Sequence, residues 1–186
     1  YTVSRNGGMA DKLPVPYGEF GAYSPDGSRF VYTPRDRSTR TWKRYRGGMA
    51  NDLYLFNLKT LASERITETD ANEDLPLWHG ERIYFLSDQG PNKRNNLYVY
   101  DLNSKQTTQL TRFADFDIHF PSIGPDDLVF EAGGKLYRMD LATREYEEVN
   151  IEVITDQTSL KPRTETVGSM VRDAFPSPDG KRVIVQ

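Results

Sequence analysis

The chain has 186 residues and a formal net charge of −3, with 24 Lys and Arg against 27 Asp and Glu. This balance gives no global basic field for nucleic acid or an anionic membrane surface, so neither is expected as a partner. The absence of cysteine excludes disulfides, thiolate catalysis and cysteine-ligated zinc, but it fits both the cytosol and the periplasm. No apolar run approaches the roughly 20 residues of a membrane-spanning helix.

A turn motif recurs along the chain. Ser-Pro-Asp-Gly stands at 24–27 and again at 177–180, and an apolar run follows each copy, at 30–32 and 183–185. Proline pre-sets φ for a turn, aspartate accepts backbone hydrogen bonds, and glycine supplies a positive φ. Weaker copies occupy 77–80 and 123–126. The four copies predict a repeated β-hairpin.

Each hairpin is followed by two further strand signals. The pattern L-Y-x-x-[DN]-L lies at 53–58, 97–102 and 136–141, and a polar turn and a short fourth strand follow it. The first two copies start 44 residues apart and the next two 39 apart. A four-stranded unit of about 40 to 45 residues is the period of a propeller blade. We therefore predict an all-β fold, a β-propeller of four-stranded antiparallel blades.

In chain order, a single partial propeller domain is predicted over 1–186. Residues 1–17 would be the end of a preceding blade, with strands at 1–6 and 12–16. The other predicted segments are blades at 18–69, 70–113 and 114–153, and a loop with the start of the next blade at 154–186. About four blades are thus covered, and we expect a piece of a larger protein. Apolar residues on the outermost sheets then predict self-association, that is, a homo-oligomer: Tyr1, Val3, Val183 and Ile184.

The first strands of the units are predicted at 18–23, 72–78, 117–123 and 172–177. In a propeller the first strand lines the central channel, so the two histidines of the chain, His79 and His119, are channel-lining candidates. No G-x-S-x-G, G-x-x-x-x-G-K-[ST] or H-E-x-x-H motif occurs. We therefore assign no catalytic residue and expect no cofactor.

An acidic stretch superficially fits a calcium loop. Asp70, Asn72, Asp74 and Glu81 have suitable spacing, but the sixth position is Leu75. A calcium-binding EF-hand loop needs glycine there for its sharp turn. We predict an acidic connection between blades and no metal site.

A basic insertion interrupts the first unit between residues 35 and 46. Guanidinium groups bind carboxylates bidentately and stack on aromatic rings. The insertion could be an exposed structural loop, an anchor for anionic peptides, or a docking surface for a neighbouring domain. In each case its charges would be dispensable for folding. The candidate contact residues are Arg35, Arg37, Arg40, Trp42, Lys43, Arg44, Tyr45 and Arg46.

Four segments carry a resemblance to a known family. These are T-W-K-R-Y-R-G-G-M-A at 41–50, W-H-G at 78–80, I-Y-F-L-S-D at 83–88 and V-F-E-A-G-G at 129–134. Together with the repeat, they resemble the N-terminal six-bladed propeller of tricorn-type serine peptidases. Six blades need about 270 residues, more than this chain has. The hairpin repeat alone is similar to TolB-like propellers.

The resemblance implies a non-catalytic propeller of a serine peptidase that degrades oligopeptides, with the catalytic residues in other domains of the parent chain. The propeller would act as a channel or gate and as a scaffold, and its partners would be oligopeptides and those other domains. A cytoplasmic location is implied. The alternatives are a TolB-like periplasmic protein-interaction propeller without enzymatic activity, and the propeller of a prolyl-oligopeptidase-like hydrolase.

Overall fold

The computed structural model describes residues 1–15, 17–35, 43–154 and 161–186. Its contacts divide the chain into two compact units, 1–150 and 151–186. The domain boundaries drawn from the sequence stay a prediction. Within the described ranges, no helix combines the length and the apolar character needed to cross a bilayer.

The first unit contains three four-stranded antiparallel sheets, each with its strands in chain order. This arrangement confirms the predicted all-β fold with four-stranded blades. The first blade is β1 (Phe20–Tyr23), β2 (Arg29–Thr33), β3 (Tyr54–Asn57) and β4 (Ser63–Arg65). The second is β5 (Glu73–His79), β6 (Arg82–Ser87), β7 (Asn96–Asp101) and β8 (Gln106–Gln109). The third is β9 (Ile118–Ile123), β10 (Asp127–Ala132), β11 (Lys135–Asp140) and β12 (Tyr146–Glu148).

The Ser-Pro-Asp-Gly motif builds the β1–β2 turn. The Ser24 hydroxyl donates to the Asp26 carboxylate at 2.5 Å, the Ser28 amide donates to the same group at 3.1 Å, and Gly27 has φ 69°. The bond from Ser24 is the main reason that the pKa of Asp26 falls to about 2. In the second unit, the turn between β13 (Ala174–Pro176) and β14 (Val183–Val185) has the same Ser-to-Asp bond. Both copies of the tetrapeptide therefore form the same hydrogen-bonded turn.

The end of each third strand is fixed by an Asx side chain. Asn57, Asp101 and Asp140 each accept hydrogen bonds from the backbone amides two and three residues further on, at 2.7 to 3.1 Å. Such side chains favour turns because they compete with the strand for backbone donors. This explains the [DN] position of the repeated pattern.

The second blade is buried on both faces, which explains the continuous apolar runs of β6 and β7. Along β6, alternate side chains belong to two different clusters. Ile83 and Phe85 pack with Val31 and Leu53 of the first blade. Tyr84 and Leu86 pack in a second cluster with residues of the third blade: Ile118, Leu128, Phe130, Ala132, Met139 and Leu141. Burial of both faces selects apolar residues at successive positions rather than at every second one.

The strands predicted at 1–6 and 12–16 are not found over the described residues 1–6 and 12–15, so this part of the prediction is wrong. In the described part of that segment, Thr2 and Asp11 form a single isolated antiparallel bridge, with both N–O distances 2.7 Å. Residues 5–8 are polar residues and glycines, so they offer no apolar face that would hold a longer ladder.

Several apolar side chains named in the self-association prediction are exposed. Tyr1 and Val3 are exposed within the first unit, and Val183 and Ile184 within the second. Exposed apolar residues near short strands favour association. Oligomerisation stays a prediction, which light scattering on the purified chain checks.

Candidate functional site

The basic insertion lies between β2 and β3, at the end of the blades that also carries the β6–β7 loop. The structure describes Arg35 and residues 43–46 of it. Arg37, Arg40 and Trp42 lie outside the described residues, so their predicted contact roles are untested. Arg35 donates to the Gly48 carbonyl at 3.1 Å.

Arg46 is bound to a buried carboxylate of the second blade. Its Nη1 donates to both oxygens of Asp88 at 3.0 and 3.1 Å, and its Nη2 donates to the Asp88 carbonyl at 3.1 Å. The Asp88 side chain is 1% exposed. Asn72 completes the contact, because its backbone amide donates to Asp88 at 2.9 Å and its side-chain amide donates to the Tyr45 carbonyl at 2.9 Å. We call Arg46, Asp88 and Asn72 the Arg46 clamp.

Lys43 and Arg44 reach the third blade. Lys43 Nζ lies 2.9 Å and Arg44 Nη2 3.7 Å from the carboxylate of Asp117, just before β9. Burial pushes the pKa of Asp117 upward, but the hydrogen bonds from the Asn95 amide and Lys43 outweigh it, so the pKa lies below its usual value. Arg44 Nε also donates to the Lys93 carbonyl at 2.8 Å.

These contacts show that three cations of the insertion are bound within the first unit, while their dispensability for folding stays a prediction. Lys43, Arg44 and Arg46 bind carboxylates of the same unit, and both acceptors, Asp88 and Asp117, are buried. Sequence reasoning identified the cations but not their partners, because the acceptors lie 42 and 74 residues further along the chain. The insertion joins three blades, and its role in contacting peptides or domains stays a prediction.

Glu73, at the start of β5, is a buried acid that sequence reasoning did not single out. It is 0% exposed, and its Oε1 accepts from the hydroxyls of Thr69 at 2.5 Å and Ser87 at 3.3 Å. Its Oε2 has no hydrogen-bond partner among the described residues. Burial is the main cause that raises the pKa of Glu73 to about 7, and the charges of Asp52 and Asp88 add to it.

A signal for Glu73 exists in the sequence. Leu75-Pro76 in β5 corresponds to Phe120-Pro121 in β9, and this alignment places Glu73 at the position of the apolar Ile118. The structure supports the alignment, because the Glu73 and Ile118 amides both donate to the carbonyl of an asparagine in the preceding blade, at 2.9 Å. An acid in an apolar register position is the observation that would have marked it.

The two histidines lie apart. His79 ends β5, and its Nε2 is 2.8 Å from the Pro125 carbonyl in the β9–β10 turn. His119 is the second residue of β9 and its ring lies 5.8 Å from that of Phe120. In the described part of the chain, neither ring is hydrogen bonded to a hydroxyl or a carboxylate. Their predicted place along a channel is untested.

Two first strands carry the same irregularity. Leu75 and Phe120 both have φ 50°, and each precedes a proline. The register of β5 shifts beside Leu75, and that of β9 shifts opposite Phe120. Phe120 is 77% exposed. Bulges of this kind redirect side chains, and they are frequent beside functional sites.

The acidic stretch considered for calcium is split by a strand. Asp70 precedes β5 and Glu81 follows it, so seven residues of extended chain, roughly 20 Å, separate the two side chains. Among the described residues, no group of three or more potential ligands is arranged for a metal ion. The Asn72 side-chain amide is a donor in the Arg46 clamp.

We therefore expect millimolar calcium to leave the melting temperature unchanged, because a ligand stabilises only the state that it binds. Differential scanning calorimetry with and without calcium checks this prediction. A calcium-dependent rise that is lost in Asp74→Ala would restore the metal site.

The three four-stranded sheets of the first unit are the blades of a partial β-propeller, and comparison with known proteins places the chain in a family. The model of the tricorn protease N-terminal beta propeller domain matches residues 1–145. The chain belongs to this family.

Relatives and solved structures agree with this assignment. A tricorn protease homolog of Saccharolobus solfataricus is 27% identical over 174 residues, which cover 94% of this chain and 16% of the relative. The crystal structure of the tricorn protease matches with a TM-score of 0.64 at 22% identity, over 86% of this chain and 15% of that one. TolB from Acinetobacter baumannii matches with a TM-score of 0.51 at 20% identity, over 90% of this chain and 37% of that one. The chain thus spans about a sixth of its tricorn relative.

Proposed function

We propose that this chain is part of the non-catalytic propeller of a tricorn-like serine peptidase that degrades oligopeptides, and that it forms a wall of the channel or gate through which substrates or products pass. Family membership supports the parent activity. The observation that carries the channel role is the exposed Phe120 on an irregular first strand.

The first strands are suited to form such a wall. β1, β5 and β9 each form one edge of a sheet, and β5 lies beside both β1 and β9. A propeller places these edges around its axis. Phe120 projects from β9 with 77% of its surface exposed, next to a backbone held at positive φ. A large ring on a fixed backbone position narrows a passage and favours apolar segments of a peptide.

The proposal includes partners and location. Oligopeptides and further domains of a longer parent protein are the partners, since the relatives are several times longer than this chain. We propose a cytoplasmic location; a periplasmic one fits the alternative, a TolB-like interaction scaffold.

The test uses the complete gene product and the variants Phe120→Ala and Phe120→Trp. Cleavage of long peptides is expected to be faster in the alanine variant than in the tryptophan variant, whereas a single-residue chromogenic substrate is cleaved equally by both. Leu61→Ala is the control, because Leu61 is exposed in the outer β3–β4 turn. Equal rates for long peptides in all variants contradict the channel role. If the complete product cleaves no oligopeptide, the peptidase assignment fails and the scaffold is favoured.

A further inference from the structure

A small pocket lies in the second blade, between the β6–β7 loop and the segment after β8. Its volume is about 120 Å³. This space accommodates a carboxylate with a few neighbouring atoms, and it is too small for a nucleotide. The residues that define its chemistry are Gly90, Arg94, Asn96, Gln109, Arg112 and Phe113.

The frame of the pocket is fixed by Asn96. This side chain is 3% exposed; its Oδ1 accepts from the Thr111 hydroxyl at 2.9 Å and from the Phe113 amide at 2.7 Å. Its Nδ2 donates to the carbonyls of Phe113 at 3.0 Å and Arg94 at 3.2 Å. The backbone on both sides of Arg112, and the backbone of Arg94, are therefore held in place before any ligand arrives.

The two arginines, Arg94 and Arg112, differ in the contacts that they already make with the protein. Arg94 donates from Nε to the Ala114 carbonyl at 3.2 Å and lies 3.9 Å from Asp117. Arg112 is exposed at the rim of the pocket, and no hydrogen bond or ion pair joins it to a described residue. Its charge does act on the buried Tyr98 nearby, where it opposes the rise in pKa that burial causes. A guanidinium on a fixed backbone, without an acceptor, offers a planar fork that matches a carboxylate.

We infer that this pocket binds a carboxylate group of an oligopeptide, with Arg112 as its main ligand and Arg94 beside it. The inference rests on the proposed function, because an oligopeptide is the ligand that this function supplies. The carboxylate can come from the peptide C-terminus or from an Asp or Glu side chain. The half-buried ring of Phe113 provides an apolar surface for the atoms next to it.

The experiment measures binding of an N-terminally labelled hexapeptide to the complete gene product by fluorescence anisotropy. The peptide is made as a free acid, as an amide, and as an amide with one internal Asp. We expect a carboxylate form to bind about tenfold more tightly than the plain amide. Arg112→Ala should bring this ratio close to one. Arg82→Ala is the control, since it removes the same charge from a half-buried site at the other end of the blade and should keep the ratio.

The three peptide forms distinguish a C-terminal carboxylate from a side-chain carboxylate. Measuring cleavage as well as binding distinguishes failure of the carboxylate site from failure of the proposed function. A preference for the free acid alone assigns a C-terminus, and a preference that the internal Asp restores assigns a side chain. A ratio that is equal in the native protein and in Arg112→Ala overturns the carboxylate site, even if peptides are still cleaved and the proposed function stands. Absence of both binding and cleavage overturns the proposed function, and the carboxylate site with it.

Discussion

We expect Glu73→Gln to gain stability relative to the native protein as the pH rises, by about 2 to 3 kcal/mol in the free energy of unfolding between pH 5 and pH 8.5. Near pH 5 the free energies of unfolding of the two proteins should agree within about 1 kcal/mol, because Glu73 is then protonated in the folded state and glutamine resembles the neutral acid. Urea denaturation at the two pH values measures both differences.

The direction follows from the raised pKa. Burial makes the folded protein hold the Glu73 proton up to about pH 7, whereas an unfolded glutamate releases it near 4.5. Between these values the folded state binds more protons than the unfolded state, so the native protein loses stability as the pH rises, and the loss is complete above about pH 7. The groups around the carboxyl reinforce the effect, since the charges of Asp52 and Asp88 both disfavour its ionisation.

Glu81→Gln is the matched control. Glu81 is exposed in the β5–β6 turn, so its replacement should leave the pH dependence of stability as it is in the native protein. A Glu73→Gln variant whose stability follows the native pH curve would show that Glu73 is ionised throughout, and that its Oε2 has found a partner.

The repeat was sufficient to predict the strand order. Ser-Pro-Asp-Gly and the Asx residues after the third strands act within a few residues, so their effect is legible in the sequence. The apolar run in β6 likewise reports burial on both faces, which only a blade between two neighbours has. Where these local signals are missing, as in 1–17, the strand prediction failed.

The site was less predictable because its contacts are distant in sequence. Nothing in the sequence around Asp88 distinguishes it from other loop residues after β6. Its partner Arg46 is 42 residues away, so the ion pair could not be predicted from local sequence. Glu73 stands among other acidic residues, so its charge alone did not distinguish it. Aligning β5 with β9 would have shown that it occupies the position of the apolar Ile118. Partners across blades depend on how the sheets pack, and the repeat alone does not specify this.

The Arg46 clamp gives the second large expected effect. Arg46→Ala should lower the free energy of unfolding by about 3 kcal/mol, because removing one partner of a buried ion pair takes away the opposite charge that stabilises the other. The Asp88 carboxylate is 1% exposed, so water cannot replace the guanidinium without opening the contact between the blades. Arg46→Lys should lose less stability than Arg46→Ala, because it keeps the positive charge. It should still lose some, because lysine lacks the forked guanidinium that reaches both the carboxylate and the carbonyl of Asp88. Thermal and urea unfolding measure these changes.

Two further variants decide whether the loss comes from the buried charge. Lys105→Ala breaks the exposed pair with Glu64 and should cost well under about 1 kcal/mol. Combining Arg46→Ala with Asp88→Asn also removes the buried negative charge, so the double variant should be more stable than Arg46→Ala alone. If Arg46→Ala costs no more than Lys105→Ala, the clamp does not hold the blades together. The cations of the insertion would then be as dispensable for folding as an exposed loop predicts, and Arg46 would be free to contact a peptide or a neighbouring domain.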